Sequence, residues 1–431
     1  MTIRHTDRLP NGFTTVVIDM PHAHQVLVTL MIRVGSRDES PRENGISHFL
    51  EHLLFRGNAD FPDGEALNRA FESVGGMLNG HTGVEATDYE FVAHPDHLGE
   101  GLQYLASFVR TPTFAELEKE RQILLHELLY DYNQRGHLIN LAALASQVLW
   151  PEHPLGQSVG GVPTTVSAIS EAQVRAHHRR HYHSANAVLA LVGKVGVSEG
   201  VALAGEHFGD WPPRGACDPV TLSAPPAPPS RASGPHLKLV PDADNQFHLQ
   251  LSFPAPGYND AEELATTLLS RTLDDGPTSR LQRVLREELA LVYDIAAGYT
   301  PYRDAGALEI ATSVKIDRLA ELLRILLEEL SAFRLRGPSE DEVARARLRH
   351  LFDLEFEGDS LEAQVERYSW PLLYATVRDE AEERMRVRTI TRHELHELAR
   401  RLFVRENLYL VLVGPLDGTV ERIVRDAVAR F

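Results

Sequence analysis

The chain has 431 residues, two to three times a usual single domain, so two units of roughly 200 residues are expected. Hydrophobic residues make up 43%, charged residues 24% and aromatics 7%, which excludes disordered, collagen-like and membrane-embedded classes. The formal charge of −18 would repel a phosphate backbone, which disfavours nucleic acid as a partner, and one cysteine, Cys217, leaves any metal to histidine and carboxylate.

The amino terminus shows no secretory apolar run, and no later segment has about 18 uninterrupted apolar residues, so a cytoplasmic chain with no membrane contact is expected. Apolar, β-branched text predicts strands over Thr14–Asp19 and Val26–Val34. Helical spacing follows over Gly45–Phe55 and Asp63–Val74, then a strand pair within Gly76–Ala93 and an amphipathic helix over His97–Val109. Phe114–Glu127 reads as a charged helix with Glu120 and Glu127 seven apart, hence on one face. Prolines crowd 212–235, which reads as a semi-rigid linker between residues 1–211 and 236–431.

The second half repeats that order. Strands over His236–Val240 and Phe247–Phe253 precede helices over Ala261–Leu273 and Ser279–Leu289, a strand pair within Ala290–Val314 and a helix over Ile316–Phe333. The expected fold class is α+β: two homologous domains, each a mostly antiparallel sheet covered by helices.

Within the first helix, His48, Glu51 and His52 form an inverted zinc motif, His-x-x-Glu-His. Residues four apart lie one above the other on a helix, so both imidazoles can reach one ion, and Glu51 flanks that face as a base for water. A catalytic zinc needs a third protein ligand and an open position. Of the other histidine groups, His177 to His183 suits a helix end or solvated surface, His393 with His396 lacks the four-residue spacing and reads as a polar helix face, and His94, His97 and His153 sit in or beside Pro-flanked turns and read as structural.

Gly45 to Gly57, with its Gly-x-x-His-x-x-Glu-His segment and Phe-x-Gly ending, followed 75 residues after His52 by Glu127, resembles the pitrilysin/insulinase family of inverted zinc metallopeptidases, relatives of mitochondrial processing peptidase. The resemblance covers nearly the whole chain. It implies one zinc ion per chain, held by His48, His52 and Glu127, with Glu51 as general base and Glu120 orienting ligands and base. It also implies an edge strand through Asn79, Gly80, His81 and Thr82 that binds substrate, with Gly80 standing where the family usually has alanine. Ser279-Arg280-Leu281, Leu285-Arg286-Glu287 and Tyr293 match a second pattern, which implies that Arg286 and Tyr293 contact the substrate carbonyl or oxyanion. The function so implied is a zinc metalloendopeptidase acting on extended, unfolded peptides inside a two-subunit chamber. A heterodimer with a related subunit and a non-catalytic scaffold stand as the alternatives to a catalytic homodimer.

Overall fold

A computed structural model describes residues 3–213 and 235–431; Cys217 and nearly all of the expected linker lie outside the described residues. The chain forms two compact units that draw on both halves of the sequence. One comprises the described residues within Met1–Leu129, Gln157–Val220 and Phe356–Val377; the other comprises those within Tyr130–Gly156, Thr221–Glu355 and Arg378–Phe431.

The first unit is built on six strands, β1 (Ile3–Arg8), β2 (Thr14–Asp19), β3 (Val26–Ile32), β4 (Asn79–Thr82), β5 (Thr87–Ala93) and β6 (Ala187–Gly193), in the order β1-β2-β6-β3-β5-β4. Only β2 and β6 run parallel; every other pairing is antiparallel. Between β3 and β4 come helices α1 (Ile46–Leu54) and α2 (Gly64–Val74), and after β5 come α3 (Leu98–Arg110) and α4 (Leu117–Leu128). β3 and β6 are unbroken apolar or β-branched runs because both faces of the sheet are covered. One face buries Val17, Val28 and Leu30 beneath Phe49, Leu50, Phe71 and Phe108. The other buries Val16, Ile18, Leu27 and Met31 beneath Leu361, Val365 and Leu373.

The second unit has β7 (His236–Pro241), β8 (Gln246–Ala255), β9 (Ile295–Pro301), β10 (Gly306–Lys315) and β11 (Tyr409–Gly414), ordered β7-β11-β8-β10-β9. Its one parallel pair, β7 with β11, takes the place of β2 with β6, so the same five-strand scheme appears twice and β1 is an addition to the first. Its main core joins Phe247, Leu249, Leu251 and Phe253 to the long helix Leu319–Arg336. A helix from earlier in the sequence, α5 (Leu141–Leu149), packs Leu144 and Ala145 on Val240, Val411 and Val413 at the opposite face. Among the described residues, no helix is long and apolar enough to cross a membrane.

Candidate metal centre

α1 is an amphipathic helix with a narrow polar side. Ile46, Phe49, Leu50, Leu53 and Leu54 are buried in the core, which turns His48 and His52 to the partly exposed side with ring centroids 4.7 Å apart and nearly perpendicular. α4 is launched by two non-glycine residues in the left-handed region, Phe114 and Glu116, at φ 58° and 55°, and brings Glu127 alongside. One ligand atom from each of His48, His52 and Glu127 lies within 4.8 Å of the others, and this is the one such group of histidine, cysteine and acidic residues among the described residues.

The surroundings suit these groups to a cation. Burial, then the neighbouring His52 and His81, pushes His48 down to about 4, so its imidazole is neutral with a free lone pair at pH 7. His52 directs Nδ1 to Glu120 Oε2 at 3.2 Å and Nε2 towards Glu127 Oε2 at 3.8 Å. Glu120 is fully buried, and its other oxygen is ion-paired with the guanidinium of Arg56. A carboxylate accepting Nδ1–H fixes the tautomer that leaves Nε2 open to a metal. Imidazole nitrogens and carboxylate oxygens are zinc donors; at bond lengths near 2.1 Å, tetrahedral ligand atoms stand about 3.4 Å apart. The Glu127 side chain is 53% exposed.

Glu51 is buried between the two histidines in sequence, and Thr82 Oγ1–H donates to its Oε2 at 2.8 Å. Burial pushes the Glu51 carboxyl up, opposed by the Thr82 hydrogen bond and by His52 and His81. β4 is the sheet's edge, paired with β5 alone. Asn79 and His81 are exposed on it, with His81 Nδ1 3.4 Å from Asp88 Oδ1, whereas Thr82 turns inward to Glu51. Gly80 is regular in that strand opposite Tyr89, and a Cβ there would stand 2.9 Å from both Glu51 Oε1 and the Phe55 ring. The glycine thus leaves the Glu51 carboxylate its space beneath the strand.

Arg286 and Tyr293 belong to the second unit. Arg286 lies in the segment Gln282–Glu288, wound more widely than an α-helix, with Leu289 N–H bonded to Val284 O. Its guanidinium carbon is 5.8 Å from the centroid of the Tyr293 ring, which is 87% exposed. The structure therefore brings His48, Glu51, His52, Thr82, Glu120 and Glu127 together in one unit and pairs Arg286 with Tyr293 in the other. Arg56, which the sequence does not single out, stands in the turn just past the end of α1. His177 and His181, read from the sequence as a helix end or solvated surface, are buried instead, with His177 on Ser47 Oγ, while His178 meets Val109 O and His396 meets Arg334 O.

Comparison with known proteins gives the family and the fold. The model for insulinase, peptidase family M16, matches residues 14–160, and that for the peptidase M16 inactive domain matches residues 168–349. A Mycobacterium tuberculosis protein named an uncharacterized zinc protease is 31% identical over 416 residues, spanning 94% of this chain and 92% of the relative. A similarly named Bacillus subtilis protein is 24% identical over 94% of this chain and 97% of its own. Among solved structures, a protease from Helicobacter pylori matches with a TM-score of 0.85 at 19% identity, covering 96% of this chain and 100% of that one. A peptidase M16 inactive domain from Pseudomonas fluorescens matches equally well, with a TM-score of 0.85, 19% identity and coverage of 96% and 98%. The structural matches speak for the fold, and the sequence matches for descent: the chain belongs to peptidase family M16, the insulinase family, and its relatives carry the name zinc protease.

Proposed function

We propose that the chain is a zinc metalloendopeptidase that hydrolyses extended, unfolded peptides, with His48, His52 and Glu127 holding one zinc ion. The observation that carries this reading is the convergence of those three side chains with a buried base, Glu51, anchored by Thr82. Zinc bound there supplies a Lewis acid that polarises a peptide carbonyl and makes water more acidic.

The rest is done by the chain's own residues. An extended peptide adds to the open side of β4, where backbone pairing gives affinity with loose sequence preference. Asn79 and His81 lie exposed along that strand to meet substrate side chains. Thr82 holds Glu51 Oε2, leaving Oε1 to take a proton from water. The hydroxide adds to the carbonyl carbon, the C–N bond breaks, and Glu51 returns the proton to the departing amine nitrogen, giving a carboxylic acid and an amine, between which a proton passes to leave a carboxylate and an ammonium. Glu120, locked by Arg56, keeps His52 in one tautomer and orientation. Arg286 and Tyr293 act on the substrate carbonyl from a second subunit of a dimer, which a ring so exposed as that of Tyr293 leaves available. The test is Glu51→Gln, which removes a base but no ligand. Cleavage of an unstructured reporter peptide falls by about 10²–10⁴-fold while bound zinc is unchanged; an active Glu51→Gln protein with full zinc content would sink the mechanism.

A further inference from the structure

α1 begins on Gly45, whose φ of 96° is left-handed and whose missing Cβ makes room for the carbonyl oxygen of Gly160, 2.7 Å from where that atom would stand. Glycine has no side chain to accept from the first turn's N–H groups, and the first turn contains no acid. A helix start left in this way carries unsatisfied donors and partial positive charge. The acceptor comes from outside the helix. Buried Glu39 takes the Gly45 N–H at 2.7 Å and the Asn44 amide at 2.9 Å on Oε2, and the Ser47 N–H at 2.8 Å on Oε1. Asn44 in turn donates to Ser158 O at 2.7 Å and accepts from Thr165 Oγ1 at 2.7 Å through its carbonyl. Burial pushes the Glu39 carboxyl up to about 7, against the hydrogen bonds from Ser47, Gly45 and Asn44, and no charged neighbour acts on it. A carboxylate kept at that cost, with every contact made to the start of one helix, points to a task at that helix.

We propose that Glu39 is a positioning residue for the metal centre: by spanning the N–H groups of Gly45 and Ser47 it fixes the first turn of α1, and with it the direction in which His48 presents its imidazole to zinc. The inference rests on the reading of His48, His52 and Glu127 as zinc ligands. In Glu39→Gln the size is kept, but an NH2 replaces one acceptor and faces a backbone N–H. In Glu39→Asp the charge is kept, but the side chain is one methylene too short to span both donors.

The full-length chain, stripped by a chelator, is titrated with zinc against a chromophoric competitor, and unfolding of the apo form is followed by circular dichroism. Partners that orient a ligand typically change metal affinity by about 10–100-fold. Glu39→Gln is expected to weaken zinc binding by about that factor, with Glu39→Asp between it and the parent. Val17→Ala, a cavity in the same unit's core, lowers apo stability but leaves zinc affinity unchanged. The proposal is overturned if Glu39→Gln and Glu39→Asp both bind zinc as the parent does, or if Val17→Ala loses affinity to the same degree. His52→Ala separates the two levels: parental zinc binding there removes the ligand assignment, and this proposal falls with it. Should Glu39→Gln not fold, Glu39→Asp carries the same comparison.

Discussion

The helix after β3 and the helix after β8 occupy the same place in the repeated scheme, and their polar residues behave differently. In the helix Glu263–Leu273, Thr266 and Thr267 donate their hydroxyls back to carbonyls of their own helix, at 2.9 and 3.1 Å. In α1, His48 and His52 project away from the helix, and His52 meets carboxylates from α4. The edges differ too, with β4 only four residues long and β9 seven. One fold thus holds a candidate metal centre in one unit and, on the matching helix of the other, ion pairs of Glu263 with Arg378 and of Arg271 with Asp353: the chemistry belongs to a few side chains and the fold supplies their places.

The strongest test of that contrast removes the ligands. His52→Ala and Glu127→Ala should lower zinc affinity by more than the roughly 100-fold typical of an outer partner, and peptide cleavage should fall to background. Full zinc occupancy in either variant, read by elemental analysis after dialysis, would mean the ligand set is wrong. Arg286→Ala asks whether the second unit contributes. If a second subunit supplies Arg286, mixing Glu51→Gln with Arg286→Ala restores cleavage, because one hybrid site has both groups intact. A mixture that stays inactive despite demonstrated subunit exchange places both groups of a site in one chain.

Next in size is the orienting pair. Arg56→Leu leaves Glu120 buried without its cation, and Glu120→Gln weakens the hold on His52 Nδ1. Each should cost about 10–100-fold in zinc affinity. Thr82→Val should act on kcat with zinc retained, by about 10–150-fold, because a hydrogen bond to a charged group is worth about 1.5–3 kcal/mol. The sign of its pH effect follows from the hydroxyl. Thr82 lowers the Glu51 carboxyl against burial, so its loss raises that pKa further, and the acid limb of the activity profile moves to higher pH. An unmoved limb would assign it to another group.

Legibility in the sequence followed how local each signal was. The His48–Glu51–His52 spacing could be read because a single helical turn contains it. Glu120 and Glu127 had meaning only by family resemblance, since acids seven apart otherwise read as a solvated face. Glu39 gave no signal, because a cap normally sits at the helix start and Gly45 holds that place. The strands β6 and β11 are buried along their whole length, and such short apolar runs do not distinguish strand from helix by period. β1 was missed for the opposite reason: it is an exposed edge of polar residues held by β2 alone. Nor does an amphipathic helix declare which sheet it covers, so the assignment of Leu141–Leu149 to one unit and Leu361–Tyr368 to the other had to come from the fold.

The finest test uses a pair that the duplication preserved. Thr29 stands opposite Glu90 across β3 and β5, and Ser252 stands opposite Glu309 across β8 and β10. In each unit the hydroxyl donates to the carboxylate, at 3.1 Å in the first and 3.4 Å in the second, where Gln250 adds a bond of 2.6 Å. Burial pushes both carboxyls up, and in the first unit Asp88, Glu362 and Glu366 push further. A raised folded pKa means the folded state binds the proton more tightly, so stability present at acid pH is lost as pH rises above the usual carboxyl value of 4.5. Glu90→Gln and Glu309→Gln remove that loss, and each should raise Tm at pH 8 relative to pH 5. The shift should be smaller than the roughly 2–4 °C that 1 kcal/mol makes in a unit of this size. Salt separates the two units. The gain at position 90 should shrink between 0.05 and about 0.5 M salt, because screening already quiets its acidic neighbours, whereas the gain at position 309, where burial is opposed by hydrogen bonds from Ser252 and Gln250 and no charged neighbour acts, should stay. Equal salt dependence at both positions would show that burial, and not the neighbouring acids, governs Glu90 as well.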